Sequence, residues 1–224
     1  MDLDVKDHLE QLGVASARAL LSRTPVGVAT DTFFEYQTQV KLERLYRIIE
    51  ELREDIESID PKKINWEHLQ SEEFSDLFES ILRRAVNTAA EEKIRRFKKI
   101  LMNEMTRPYK SDFKETFLDI AYRINEDQIQ ILKHFWNAKN GCEGDSEQRV
   151  IDGEGTGVSF KSTADLQGFE EAKYLFYVQD LVSKSLLLDE AVALFGGEIK
   201  PYTNLRITPF GEEFLKFIEG SPDQ

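Results

Sequence analysis

Three histidines, one cysteine and 42 side-chain carboxylates are the groups in this chain best suited to metal or acid–base chemistry. His8, His68 and His134 fall in separate segments with no ligand-like spacing. With Cys142 as the sole thiol, neither a structural zinc site nor an internal disulfide is expected. Carboxylates one helical turn apart occur at Glu50 with Glu54 and at Glu115 with Asp119. A chain this acidic makes such pairs by chance, and the Glu-x-x-His pattern that a di-metal bundle would use is missing. Gly153, Gly155 and Gly157 lie in "DGEGTGVSF", which follows no strand pattern and opens no helix, so a phosphate cradle is not expected. No Walker loop, dinucleotide fingerprint or nucleophile-elbow serine is present. No catalytic, cofactor-binding or metal residue is therefore assigned, and the expectation is a protein that recognises partners without enzymatic activity.

Charge points to one recognition surface. The net charge of −13 repels nucleic acid and anionic lipid at long range. Between Arg83 and Lys110 the sign reverses, with nine bases against three acids. On a helical wheel Ile94, Phe97, Leu101 and Met105 form a buried stripe. Arg95, Arg96 and Lys99 point away from it, and Lys93 and Lys98 flank it. These five residues are the candidate surface for an anionic partner, balanced against a solvated face that pairs with the chain's own acids. From Val150 onward thirteen acids stand against six bases, which disfavours DNA there.

The elements that must carry these groups are mostly helical. Asp4 to Ser22 reads as a first helix, interrupted by "RTPVG". A long helix from about Phe33 to Ile59 carries Leu42, Leu45, Ile49, Leu52, Ile56 and Ile59 at heptad spacing. That stripe is either the buried side of a bundle helix or the seam of a homodimer. Asp60-Pro61 ends it, and Ser71 opens the next helix as an N-cap with Glu72 and Glu73 in its first turn. Further apolar faces run through Phe74 to Ala85, through Ile94 to Met105, and through Phe113, Phe117, Ile120 and Ile124. "NTAAEE" marks a kink or a break between the first two of these. Asn125 and Gln128 form a capping box ahead of Ile129, Leu132, Phe135 and Trp136.

Residues 139–163 are rich in Gly, Ser and acid and predict a flexible insertion. Beyond it, Phe169, Ala172, Leu175, Phe176, Val178, Gln179 and Val182 predict a helix ending near Lys184. "SLLLDE" and "LRIT" then read as two strands around a turn. Thr208 and Pro209 open a last helix packed through Phe210, Phe214, Leu215 and Phe217. This order, with the ending "ITPFGEEFLKFI", resembles the winged-helix superfamily over the C-terminal part of the chain. The rest is similar to helical proteins of bacteria. The resemblance implies that Glu170 to Lys184 takes the place of the recognition helix. Its acids leave it poorly suited to DNA and better suited to protein.

The expected fold is mainly α. Residues 1–124 form a helical bundle with a long helix, and residues 125–224 form a winged-helix-like α+β module with a small β-hairpin. An acidic start and short apolar runs predict a cytoplasmic protein with neither secretory signal nor membrane span. A protein partner is the favoured ligand, with a homodimer through the long helix as one form. A nucleic-acid-binding regulator using the 83–110 surface or the tail is the alternative.

Overall fold

The computed structural model describes residues 32–140, 168–190, 202 and 205–220. The expected first helix, Cys142, the three glycines of "DGEGTGVSF", the rest of the Gly-rich insertion beyond residue 140 and most of the hairpin turn lie outside the described residues. The protein is mainly helical, with eight α-helices among the described residues and one two-stranded antiparallel sheet. Its described residues divide into two compact units, one within 32–122 with 218–220, the other within 123–217.

In the first unit, α1 spans Thr32–Glu57. A 3-10 turn at Pro61–Lys63 follows, capped by Asp60, whose carboxylate accepts from the Lys62 N–H at 3.0 Å. The short helix α2 (Trp66–Leu69) is capped by Asn65. Ser71 caps α3 (Glu72–Val86) as its sequence predicts, its hydroxyl accepting from the Phe74 N–H at 3.1 Å. "NTAAEE" is a break: α4 (Glu91–Thr106) starts afresh after Ala90, whose N–H donates to Thr88 Oγ1. α5 spans Lys114–Arg123. Helices α1, α3 and α4 pack on one another, and α2 packs on α3 and α4. Their shared core holds Leu45, Ile48, Leu52, Phe74, Phe78, Ile81, Phe97 and Ile100, all nearly inaccessible. Phe113, expected in the core face of α5, precedes the helix and is about half exposed.

In the second unit, α6 (Glu126–Asn140) opens with the predicted box. Gln128 N–H donates to Asn125 Oδ1 and Asn125 N–H donates to Gln128 Oε1, both at 3.0 Å. α7 (Glu171–Ser183) packs on α6 and on β1 (Leu187–Asp189), which pairs with β2 (Leu205–Ile207) in the register Leu187 with Ile207. Buried Asp189 accepts from the Tyr202 N–H at 2.6 Å and so ties the turn to the hairpin. α8 spans Pro209–Glu219, with Thr208 accepting from the Gly211 N–H at 2.9 Å.

The end of α7 sets the path into the hairpin. Leu186 N–H bonds to Leu181 O and Ser185 N–H to Val182 O, the paired bonds of a Schellman cap, with Leu181 and Leu186 both buried. The left-handed position is Ser185, at φ 61°. A side chain there is strained and glycine is not. Ser185→Gly is expected to raise the unfolding free energy by about 1 kcal/mol, read as a higher urea midpoint at unchanged m-value.

Candidate interaction surfaces

The five basic residues of α4 do not form one open face. Lys93 is half-buried; its ammonium donates to Tyr122 O at 2.6 Å and lies 5.5 Å from the Tyr122 ring centre. Burial, with Arg96 beside it, holds that amine below the usual lysine range. Arg96 is only 6% exposed and donates to Ala121 O at 2.7 Å, near the C-terminal end of α5. The single-stripe wheel turned Arg96 outward. In the fold α4 is covered over a wider arc that also buries Ile100 and Glu104. Lys98 bonds Glu51 at 3.1 Å and Asp55 at 2.9 Å on α1. Burial opposes its charge, but those two carboxylates outweigh burial and hold it above the usual lysine range. Lys99 is paired with Glu219. Arg95 alone of the five is exposed without a carboxylate partner among the described residues.

The heptad stripe of α1 is largely used inside the first unit. Leu45, Leu52 and Ile56 are buried and Leu42 and Ile49 half-buried, while Ile59, also half-buried, lies beyond the end of α1, which stops at Glu57 and not at Ile59. Ile48, which the heptad spacing skips, is buried more completely than Ile49 because α1 is covered by both α3 and α4. A groove of about 360 Å³ beside α1 is lined by Val40, Glu43, Arg44, Arg47, Ala89 and Glu91. Its two guanidinium groups bond within the chain, Arg44 to Val86 O at 2.7 Å and Arg47 to Glu91 at 3.0 Å.

The most chemically dense cluster is one that periodicity does not reveal. Glu104 is 1% exposed, yet it meets Lys114 Nζ at 2.9 Å through Oε2 and accepts from the Tyr109 N–H at 3.0 Å through Oε1. Lys114, also buried, bonds Glu73 at 2.7 Å. His68 Nε2 approaches Glu104 Oε2 to 3.2 Å without hydrogen-bond alignment, and its ring meets the edge of Phe74. Lys114 therefore bridges two carboxylates where α3, α4 and α5 converge. The arrangement ties the three helices together, with Glu104 and Lys114 buried and Glu73 exposed. No group of three or more metal-ligand side chains is found among the described residues. The third histidine, His134, stacks edge-on against Phe135 on α6.

The hydrogen bond from Lys114 holds Glu73 below the usual carboxylate range, and one from Lys173 does the same for Asp127. A depressed carboxylate contributes stability above its unfolded pKa, about 4.3 for glutamate, and loses it as pH falls through the lower folded value. Glu73→Gln should flatten the fall in stability below about pH 4. Urea titrations along a pH series measure that slope.

α7 differs from the other helices. Tyr174, Tyr177, Val178 and Leu181 form its buried side. The apolar period read from the sequence mixed this side with a second one. Ala172, Phe176, Gln179 and Ser183 are exposed along the opposite line, Phe176 at 65%, with half-buried Leu175 and Val182 on one flank. On the other flank the charges are tied down. Lys173 pairs with Asp127 at 2.7 Å, Tyr177 OH donates to Asp127 at 3.1 Å, and Asp180 accepts from Gln128 at 2.6 Å and pairs with Lys184. The outward side thus offers an aromatic ring on a strip without charge. No family model, curated protein or solved structure matches the chain.

Proposed function

We propose that this chain is an interaction or regulatory component that recognises another protein through the outward side of α7. The observation that carries the reading is that the side of α7 opposite its buried face presents Phe176, 65% exposed, among uncharged Ala172, Gln179 and Ser183 and beside half-buried Leu175 and Val182. An exposed phenylalanine with small and uncharged neighbours is the composition of an interface centre. The helix, helix, hairpin, helix order of α6 to α8 supports a winged-helix-like module in which α7 takes the recognition position. Nucleic acid is the weaker reading, because Lys93, Arg96, Lys98 and Lys99 are engaged within the chain and α7 presents no basic strip. We read the protein as non-enzymatic. No described helix is long and apolar enough to cross a membrane.

The test is capture from native host cells with the intact chain and with Phe176→Glu, each with and without nuclease. The expected result is a protein retained by the first, lost from the second and indifferent to nuclease. Capture that nuclease abolishes, or that Phe176→Glu leaves unchanged, would refute the reading.

A further inference from the structure

We infer that the protein recognised by the outward side of α7 is a second copy of this chain, docked with the two α7 helices antiparallel. The inference rests on the proposed role of that side and adds the identity of its occupant. Its basis is self-complementarity. The exposed line Ala172, Phe176, Gln179, Ser183 is spaced four, three and four residues, which reads the same in both directions. A two-fold axis midway between Tyr177 and Val178 therefore sets Phe176 against Gln179 of the other copy and Ala172 against its Ser183. Each bulky side chain meets a slimmer one, as close helix packing requires.

The flanks obey the same symmetry. Leu175 and Val182, seven residues apart on one flank, face each other across the axis, apolar against apolar. Lys173 and Asp180, seven apart on the other flank, place an ammonium opposite a carboxylate twice over. Both keep access to solvent despite their bonds to α6, with side chains 49% and 31% exposed. A parallel arrangement would instead set Lys173 and Asp180 against the apolar Leu175 and Val182 of the other copy and align the two helix dipoles.

Scale and charge fix how this pairing behaves. One face of a 13-residue helix falls short of the roughly 1,200–2,000 Å² of a stable interface, so the dimer is weak and visible only at high concentration. Two chains of charge −13 repel, and salt screens that repulsion while leaving apolar contact intact. Self-association should therefore strengthen with salt, whereas docking of a basic partner would weaken.

Sedimentation velocity of the full chain over a wide concentration range, at low and high salt, tests this. The expected result is a monomer–dimer equilibrium favoured by salt, its dissociation constant raised about tenfold or more by Phe176→Glu. In a Cys142→Ser background, mixing Phe176→Cys chains with Gln179→Cys chains should give a disulfide-linked pair faster than either variant alone. A chain monomeric at all concentrations, a dimer unaffected by Phe176→Glu, or cross-linking no faster in the mixture would overturn the inference. If host capture still depends on Phe176 while the chain stays monomeric, the occupant is another protein. The proposed role of α7 then stands and the inference falls.

Discussion

Lys114→Ala is expected to lower the unfolding free energy by about 3–5 kcal/mol, because it strips the counter-charge from a buried carboxylate. Glu104 is 1% exposed and Lys114 provides its ion pair at 2.9 Å. With the ammonium gone, Glu104 must either stay charged in a poorly solvated site or take up a proton, and both cost stability. The effect should be one-sided. Replacing both members, as in Lys114→Met with Glu104→Gln, removes the charge and keeps an acceptor for the Tyr109 N–H, so the double variant should recover most of the loss. Chemical denaturation of both single variants and the double variant measures the coupling. Equal and additive losses would show that Lys114 acts by packing alone.

Gly211→Ala is expected to cost about 2–3 kcal/mol, the cost of forcing one carbon into a filled space. A Cβ at this position would overlap the Leu186 carbonyl oxygen and press on Ile207 Cγ1 at 3.0 Å. That carbonyl has little freedom to move. It accepts from the Thr208 N–H at 3.1 Å and lies in the cap of α7, so the added carbon strains the junction of α7, the hairpin and α8 together. Loss of hydrogen-exchange protection should spread through α7, β1 and α8, while α1 and α3 keep theirs. A loss confined to α8 would place the strain elsewhere.

Features encoded by near neighbours were legible in the sequence. Ser71, Asn125 with Gln128, and Thr208 cap the helices they were expected to cap, since each bond joins residues three apart. The mainly α architecture with one small hairpin follows equally from local period and turn chemistry. Features made by distant packing were not legible. Glu104 and Lys114 are separated by ten residues and Glu73 and Lys114 by 41, so no periodic rule joins them. Arg96 was turned outward by a wheel that allowed α4 one buried stripe, whereas its neighbours cover a wider arc. The two sides of α7 were blurred for a related reason. Tyr174 and Tyr177 carry much of its buried surface, while Phe176 between them faces out. Hydropathy alone does not say which aromatic residue turns inward.

The most direct test of the account replaces Phe176 with a photo-crosslinking phenylalanine analogue in the full chain, in the native host. Exposed Arg95 carries the same probe as a control. The account predicts a discrete protein adduct from position 176, with twice the mass of the chain if the partner is a second copy, and none from position 95. No adduct at position 176, or a nucleic-acid adduct from position 95 alone, would contradict it.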